Sequence, residues 1–125
     1  MSDLNVTGNI TINGKSVPLS SEICAFTSSH TLYNSTSLST GNKTTNAQFS
    51  KYKVLAIGEF TTVTEGFAWQ LLPLEIFKLY TSAGLYVQQN IASQDRRVKI
   101  LYVDDTHFNI EYIDGANGLK IIGYK

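Results

Sequence analysis

The residues that could support catalysis are few and scattered. His30 and His107 are the two histidines, and neither accompanies a Gly-x-Ser-x-Gly motif or a local Cys–His signature. A lone histidine in a strand-like segment is more often a polar or packed residue than a general base. Cys24 is the single cysteine, so it has no partner within the chain, and we expect it to be a small core residue. The sequence therefore predicts no catalytic residue, no cofactor and no enzymatic activity.

One cluster, formed by Asp104, Asp105 and His107, has side chains that could bind a hard cation. Adjacent carboxylates can converge on such an ion, but no spacing of further oxygen donors like that of a calcium loop surrounds them. Two successive aspartates are also an ordinary connection between strands, because each carboxylate can accept a hydrogen bond from the backbone of the turn. We favour the turn and predict no metal site.

Aromatic residues are more numerous than a core of this size requires. The chain has seven tyrosines, six phenylalanines and Trp69. Aromatic rings on a polar background stack well on sugar rings, although tyrosine and phenylalanine also favour strands and fill cores. The residues that we select as candidates for glycan binding are Trp69, Tyr86 and Tyr102.

Composition and hydropathy argue against two classes of partner, nucleic acids and membranes. The 125 residues suit one domain with one core, and only 16% of them are charged, against about 25% in a typical soluble domain. Ten basic residues balance ten acidic ones, and the longest basic run is Arg96-Arg97, so nucleic-acid binding is disfavoured. Without a charged-then-apolar leader or an apolar run of ~18 residues, we expect folding in a cytosol and no membrane insertion.

The elements that must position these residues are strands. Short apolar or alternating segments, separated by turn residues, recur at roughly ten-residue spacing, which is typical of an antiparallel β-sandwich or barrel. The segments are 23–26, 31–33, 51–63, 67–72, 74–80, 85–91, 97–103, 107–113 and 119–124. The spacing in 74–80 fits a helix or a strand, and we favour a strand because the segment is short for a helix. Pro73 indicates an edge or a bend, and the polar stretch 34–48 is predicted to be a loop.

The first twenty residues differ from the rest. Asn13-Gly14 is a strong hairpin signal, and residues 10–12 should pair with residues 15–17 across it. The large apolar residues that we assign to anchoring or trimerisation are Val6, Ile10, Ile12 and Val17. Such a thin hairpin is marginal by itself, so its apolar side needs another surface, which association with further copies would supply.

One N-terminal segment and two C-terminal segments resemble the fibre proteins of tailed bacteriophages. Residues 5–15, Asn-Val-Thr-Gly-Asn-Ile-Thr-Ile-Asn-Gly-Lys, resemble the short β-repeat that begins their stems or collars. Residues 96–100 and the closing strand 119–125, which ends in Ile-Ile-Gly-Tyr-Lys, are similar to the end of fibre head domains. Fibre proteins are usually much longer, so the resemblance favours a short head fibre, a decoration protein or a baseplate-associated subunit over a full-length tail fibre.

The resemblance implies a homotrimeric virion protein with a β-sandwich head that attaches to host-surface glycans. We therefore predict an all-β protein: an antiparallel, jelly-roll-like β-sandwich head over 21–125, preceded by an N-terminal β-hairpin or stem over 1–20. The N-terminal segment would contact other virion proteins of the capsid, tail or baseplate, and the subunit would assemble in the host cytoplasm and reside in the virion. The alternatives are a stand-alone bacterial carbohydrate-binding module and, less favoured, a small β-barrel enzyme.

Overall fold

The computed structural model describes residues 10–12, 15–17, 27–60, 68–91 and 94–125. Within these ranges the chain forms ten strands: β1 (Ile10–Ile12), β2 (Lys15–Val17), β3 (Ser29–Ser35), β4 (Gly41–Thr44), β5 (Val54–Phe60), β6 (Ala68–Pro73), β7 (Leu85–Ile91), β8 (Gln94–Asp104), β9 (His107–Asp114) and β10 (Gly118–Tyr124). A short 3-10 helix, Phe49–Lys51, precedes β5, and the one-turn helix α1, Leu74–Phe77, follows β6.

Eight of these strands form two four-stranded sheets. The first sheet has the order β3-β10-β5-β6 and the second has the order β4-β9-β8-β7. The pairings between neighbouring strands are antiparallel. The predicted all-β, antiparallel fold is therefore confirmed.

A single core lies between the two sheets. Ile57 and Ile121 from the first sheet and Ile100 and Phe108 from the second are fully buried in one cluster. Burying an aliphatic or aromatic side chain of this size contributes roughly 1.5–3 kcal/mol, so the joint burial of both inner faces is what holds the sheets together. No helix in the part of the chain that the structure describes is long and apolar enough to cross a membrane.

Strand alternation decides which residues face outward. In β5, Leu55 and Ile57 point into the core, so Ala56 and Gly58 point away from it. The same rule turns Tyr86 of β7 outward, because Leu85 and Val87 on either side of it are buried. Each sheet thus has an outer face whose chemistry is independent of the core.

Two segments differ from the sequence-based prediction. The prediction of a strand over 74–80 is wrong, since Leu74–Phe77 forms one helical turn with Leu74 and Phe77 buried three residues apart. Residues 34–48 are not all loop, because β3 extends to Ser35 and Gly41–Thr44 forms the edge strand β4 against β9. Pro73 closes the edge strand β6, as its lack of an N–H group predicts.

The predicted N-terminal hairpin is confirmed in its strand pairing. Ile10 lies opposite Val17 and Ile12 lies opposite Lys15, and the two strands form a two-stranded sheet of their own. Val6, Cys24, the predicted strand 23–26 and the boundary between residues 20 and 21 lie outside the described residues.

Candidate binding surfaces

The three residues predicted to bind glycans lie in three different places. Trp69 lies on the outer face of the first sheet and is 46% exposed, whereas Tyr86 lies on the outer face of the second sheet and is 43% exposed. The ring of Tyr102 packs against Phe49 and Phe77, with 5.8 Å between ring centroids in each case. The structure therefore does not bring these residues together into one site, and Tyr102 belongs to the wall of the core.

The outer face of the first sheet carries an apolar groove. We call this depression the apolar groove. Its volume is about 310 Å³, and it is lined by Ala56, Trp69, Leu71, Ile122 and Tyr124. Ala56 on the central strand β5 is small and forms a low floor, while the larger side chains on β6 and β10 rise on both sides. Leu71, on the edge strand β6, leaves 69% of its surface exposed.

The ring of Trp69 packs on the backbone at a glycine. Gly58 lies opposite Trp69 across the β5–β6 pair. A Cβ atom at Gly58 would lie only 2.6–2.8 Å from three carbons of the indole ring, so the ring rests directly on the backbone of β5. The absence of a side chain at Gly58 therefore allows the largest aromatic ring of the groove to lie against the strand.

The outer face of the second sheet carries alternating aromatic and basic side chains. The guanidinium carbon of Arg97 lies 5.5 Å from the ring centroid of Tyr86 and 5.6 Å from that of Tyr112. Lys99 Nζ lies 5.6 Å from the same Tyr86 centroid. We call Tyr86, Arg97, Lys99 and Tyr112 the cationic-aromatic stripe. Distances of this size give a cation–π attraction of ~0.5–1 kcal/mol at exposed sites.

Acidic neighbours balance the charge of the stripe. Arg97 Nε lies 3.8 Å from an Asp114 carboxylate oxygen, and Lys99 Nζ lies 3.5 Å from Glu111. The first of these distances is too long for a hydrogen bond, and Arg97 Nε is buried without a hydrogen-bond partner. The stripe thus combines two half-exposed aromatic rings with a guanidinium group that retains an unmatched donor.

The cluster of Asp104, Asp105 and His107 forms a network of hydrogen bonds in and around the β8–β9 turn. Asp104 Oδ1 accepts a hydrogen bond from the Thr106 N–H at 2.9 Å and lies 2.8 Å from His107 Nδ1. The Thr106 N–H and His107 hold the pKa of Asp104 below its usual value. Both Asp105 oxygens accept hydrogen bonds from Ser50, at 2.8 Å from its N–H and 2.7 Å from its hydroxyl. Asp104 thus stabilises the turn itself, and Asp105 connects the turn to the 3-10 helix.

Glu59 is a buried carboxyl group on the inner side of β5. It is fully buried, and neither of its carboxyl oxygens has a hydrogen-bond partner. Burial raises the pKa of Glu59 to about 7, and the positive charge of Arg96 limits the rise. The carboxyl group is therefore largely protonated below neutral pH.

Sequence reasoning missed most of the groove. Leu71, Ile122 and Tyr124 have the composition of ordinary core residues, and only the register of β5, β6 and β10 shows that they point outward. The available signal was the small pair Ala56 and Gly58 between large apolar residues in β5. Within the described residues, no group of three or more histidine, cysteine or acidic side chains is placed to hold a metal ion.

Comparisons with protein-family models, with curated proteins and with solved structures find no match to this chain.

Proposed function

We propose that the chain is a non-enzymatic structural subunit of a virion appendage of a tailed phage. It assembles as a homotrimer, contacts other virion proteins through residues 1–20, and presents the β-sandwich for attachment to glycans on the host surface. The observation that carries this proposal is the apolar groove, because it exposes hydrophobic surface that an isolated domain would normally cover.

The exposed leucine and tryptophan of the groove favour an assembly surface. Isolated apolar residues are common on protein surfaces, whereas apolar residues that cluster around a depression favour a contact with another molecule. Leu71, Trp69, Ile122 and Tyr124 are neighbours around one depression rather than scattered residues. A centre of large apolar and aromatic side chains is also the composition of well-buried protein–protein contacts.

The cationic-aromatic stripe supports the glycan part of the proposal. Tyr86 and Tyr112 are each more than two-fifths exposed, so parts of their rings are accessible to the C–H groups of a sugar. Arg97 between them carries hydrogen-bond donors that suit hydroxyl or carboxylate oxygens. The stripe lies on the opposite side of the sandwich from the groove, so one face can bind copies while the other stays accessible.

The test compares two exposed leucines. Leu71 is 69% exposed in the groove, and Leu79 is 72% exposed outside it, so lysine is tolerated by the fold at either position. By light scattering at micromolar concentration we expect a trimer for the wild type and for Leu79→Lys, and a monomer for Leu71→Lys with an unchanged circular dichroism spectrum. A monomeric wild type would contradict the proposed assembly, as would a Leu71→Lys protein that stays trimeric.

A bacterial carbohydrate-binding module is the second candidate, and the exposed rings of Trp69 and Tyr86 favour it. Such a module is expected to be monomeric and to keep its sugar affinity when residues 1–19 are deleted. The phage subunit is expected to lose assembly on the same deletion. Glycan-array binding together with light scattering of the truncated chain separates the two functions.

A further inference from the structure

We propose that the apolar groove of one copy binds the N-terminal hairpin, β1–β2, of a neighbouring copy. This inference rests on the assembly proposed above and names the segment that makes the contact. It is supported by the chemistry of the groove, by the composition of the hairpin, and by the place where the chain enters the sandwich.

The groove suits an apolar occupant. Its five lining residues include no charged side chain, and its walls are made by Trp69, Leu71, Ile122 and Tyr124. An apolar side chain that enters this depression removes its own surface and that of the walls from water, at ~25 cal/mol per Å². A charged or strongly polar segment would instead lose hydration without gaining a partner there.

The hairpin is an occupant of matching chemistry. It contains Ile10, Ile12 and Val17, and its register places Ile10 directly opposite Val17. Its two strands are hydrogen-bonded to each other but belong to neither four-stranded sheet. An isolated two-stranded hairpin is marginally stable in water, so a hydrophobic surface on which it can dock stabilises it as well as covering the groove.

The chain enters the sandwich beside the groove. The Thr27 N–H donates to the Lys125 carbonyl at 3.2 Å, and the Lys125 N–H donates to the Ser28 carbonyl at 3.0 Å. Ser29 then pairs with Tyr124, whose side chain lines the groove. The N-terminal segment is therefore tethered at the end of the sheet where the groove lies.

The proposed assembly favours a neighbouring copy over the same chain. A hairpin that covered its own groove would leave the proposed trimer without a contact, whereas a hairpin in the groove of the next copy joins two molecules. Thr27 and Ser29 are fixed beside Lys125 and Tyr124, at the end of β10. The nine residues from 18 to 26 can span about 30 Å when extended, which is enough to reach an adjacent molecule. One hairpin and one groove per copy form a heterologous contact, and such contacts close into a ring of three when each is repeated by a threefold rotation.

A mixed disulfide experiment tests the contact. In a Cys24→Ser background, one full-length chain carries Val17→Cys and a second, carrying an affinity tag, has Leu71→Cys. After the two are mixed under mild oxidation, we expect a disulfide-linked heterodimer on a non-reducing gel. Leu79→Cys, at an equally exposed leucine outside the groove, is the matched control and should give at least tenfold less of the heterodimer.

A chain that carries both Val17→Cys and Leu71→Cys distinguishes the occupants. Cross-linked dimers and trimers support a neighbouring copy, whereas a cross-linked monomer that migrates faster than the reduced chain shows that the hairpin covers its own groove and overturns the proposal. Equal yields with Leu71→Cys and Leu79→Cys also overturn it. If the unmodified protein is trimeric by light scattering but this cross-link is absent, only the docking is wrong, whereas a monomeric unmodified protein removes the proposed assembly itself.

Discussion

On the outer face of the first sheet a tryptophan covers a glycine, and on the outer face of the second sheet a lysine does the same. Trp69 lies over Gly58, and the aliphatic chain of Lys99 lies over Gly84, with ideal Cβ positions only 2.5–3.1 Å from the covering carbons in both cases. A glycine in or beside a strand leaves bare backbone, which a long side chain on the neighbouring strand can shield. On both faces, therefore, a long side chain from the neighbouring strand shields the backbone at a glycine.

The difference lies in what the covering residue leaves at the surface. An indole ring is rigid and adds apolar area, so the first sheet continues into the groove with Leu71 and Ile122. A lysine chain covers the backbone with its methylene groups and keeps its ammonium group near water and near Glu111. The comparison teaches that the same backbone gap can produce an apolar surface or a hydrated surface, depending on one side chain.

The largest effect on stability is expected from ionisation of Glu59, which lies on the inner side of β5 and belongs to neither outer face. Because the pKa of Glu59 rises from 4.5 to about 7 on folding, its contribution to stability is complete below pH 4.5 and is lost as the pH rises to about 7. A shift of this size corresponds to a loss on the order of 3 kcal/mol. Glu59→Gln, which cannot ionise, should lack this decrease in urea titrations at pH 5 and pH 8.

Glu59→Gln also serves as a control for variants on the two outer faces. Glu59→Gln should change stability without changing the trimer mass or glycan binding, since it alters no outer residue. If the difference in unfolding free energy between wild type and variant is the same at both pH values, Glu59 is not the group that makes stability pH-dependent.

The next largest loss of stability is expected from an alanine substitution at Gly58, and a smaller one at Gly84. Gly58→Ala places a methyl group against the rigid indole, so we expect a loss of about 1–3 kcal/mol and a weaker trimer, because Trp69 is displaced. Gly84→Ala meets a lysine chain that can change rotamer at the cost of its partly exposed contacts, and the reduced entropy of the unfolded state offsets part of that cost, so its loss should be about 1 kcal/mol or less. Urea unfolding of the two single variants, with light scattering, checks both. Equal losses at the two positions would break the proposed distinction between the faces.

A further small effect is expected from the cationic-aromatic stripe. Arg97→Gln removes two cation–π contacts and a long ion pair, all partly exposed, so the loss of stability should be about 0.5–1 kcal/mol. The trimer mass should not change, while affinity in a glycan array should fall, with Lys43→Gln on β4 as a control of equal charge change. A loss of assembly in Arg97→Gln would show that the second face also binds copies.

Much of the fold follows from local sequence pattern. The alternation in 85–91, 107–113 and 119–124 predicted β7, β9 and β10 to within one residue, because one side of each strand is buried in a single core. Helix α1 was missed because a one-turn helix has almost no period to detect, and its stability comes from the burial of Leu74 and Phe77 against distant strands. Strand β4 was missed because an edge strand with polar residues carries little apolar alternation.

The candidate surfaces were less predictable for a related reason. The sequence identified Trp69 and Tyr86 as unusual aromatics, but whether two residues share a face depends on strand order and register. The position of Tyr102 depends further on its packing against Phe49 and Phe77 from the 3-10 helix and α1. These are long-range contacts, and no local pattern contains them.

The position of Pro73 bears on how copies of the chain can accumulate without precipitating. An open sheet edge can recruit the edge of another molecule and grow without limit, as in amyloid fibrils. Pro73 terminates the edge strand β6 with a residue that has no N–H group to offer, which weakens that edge as a template for further strands. Growth by edge-to-edge stacking is thereby disfavoured at β6, which is compatible with the proposed closed trimer built through contacts of the sheet face.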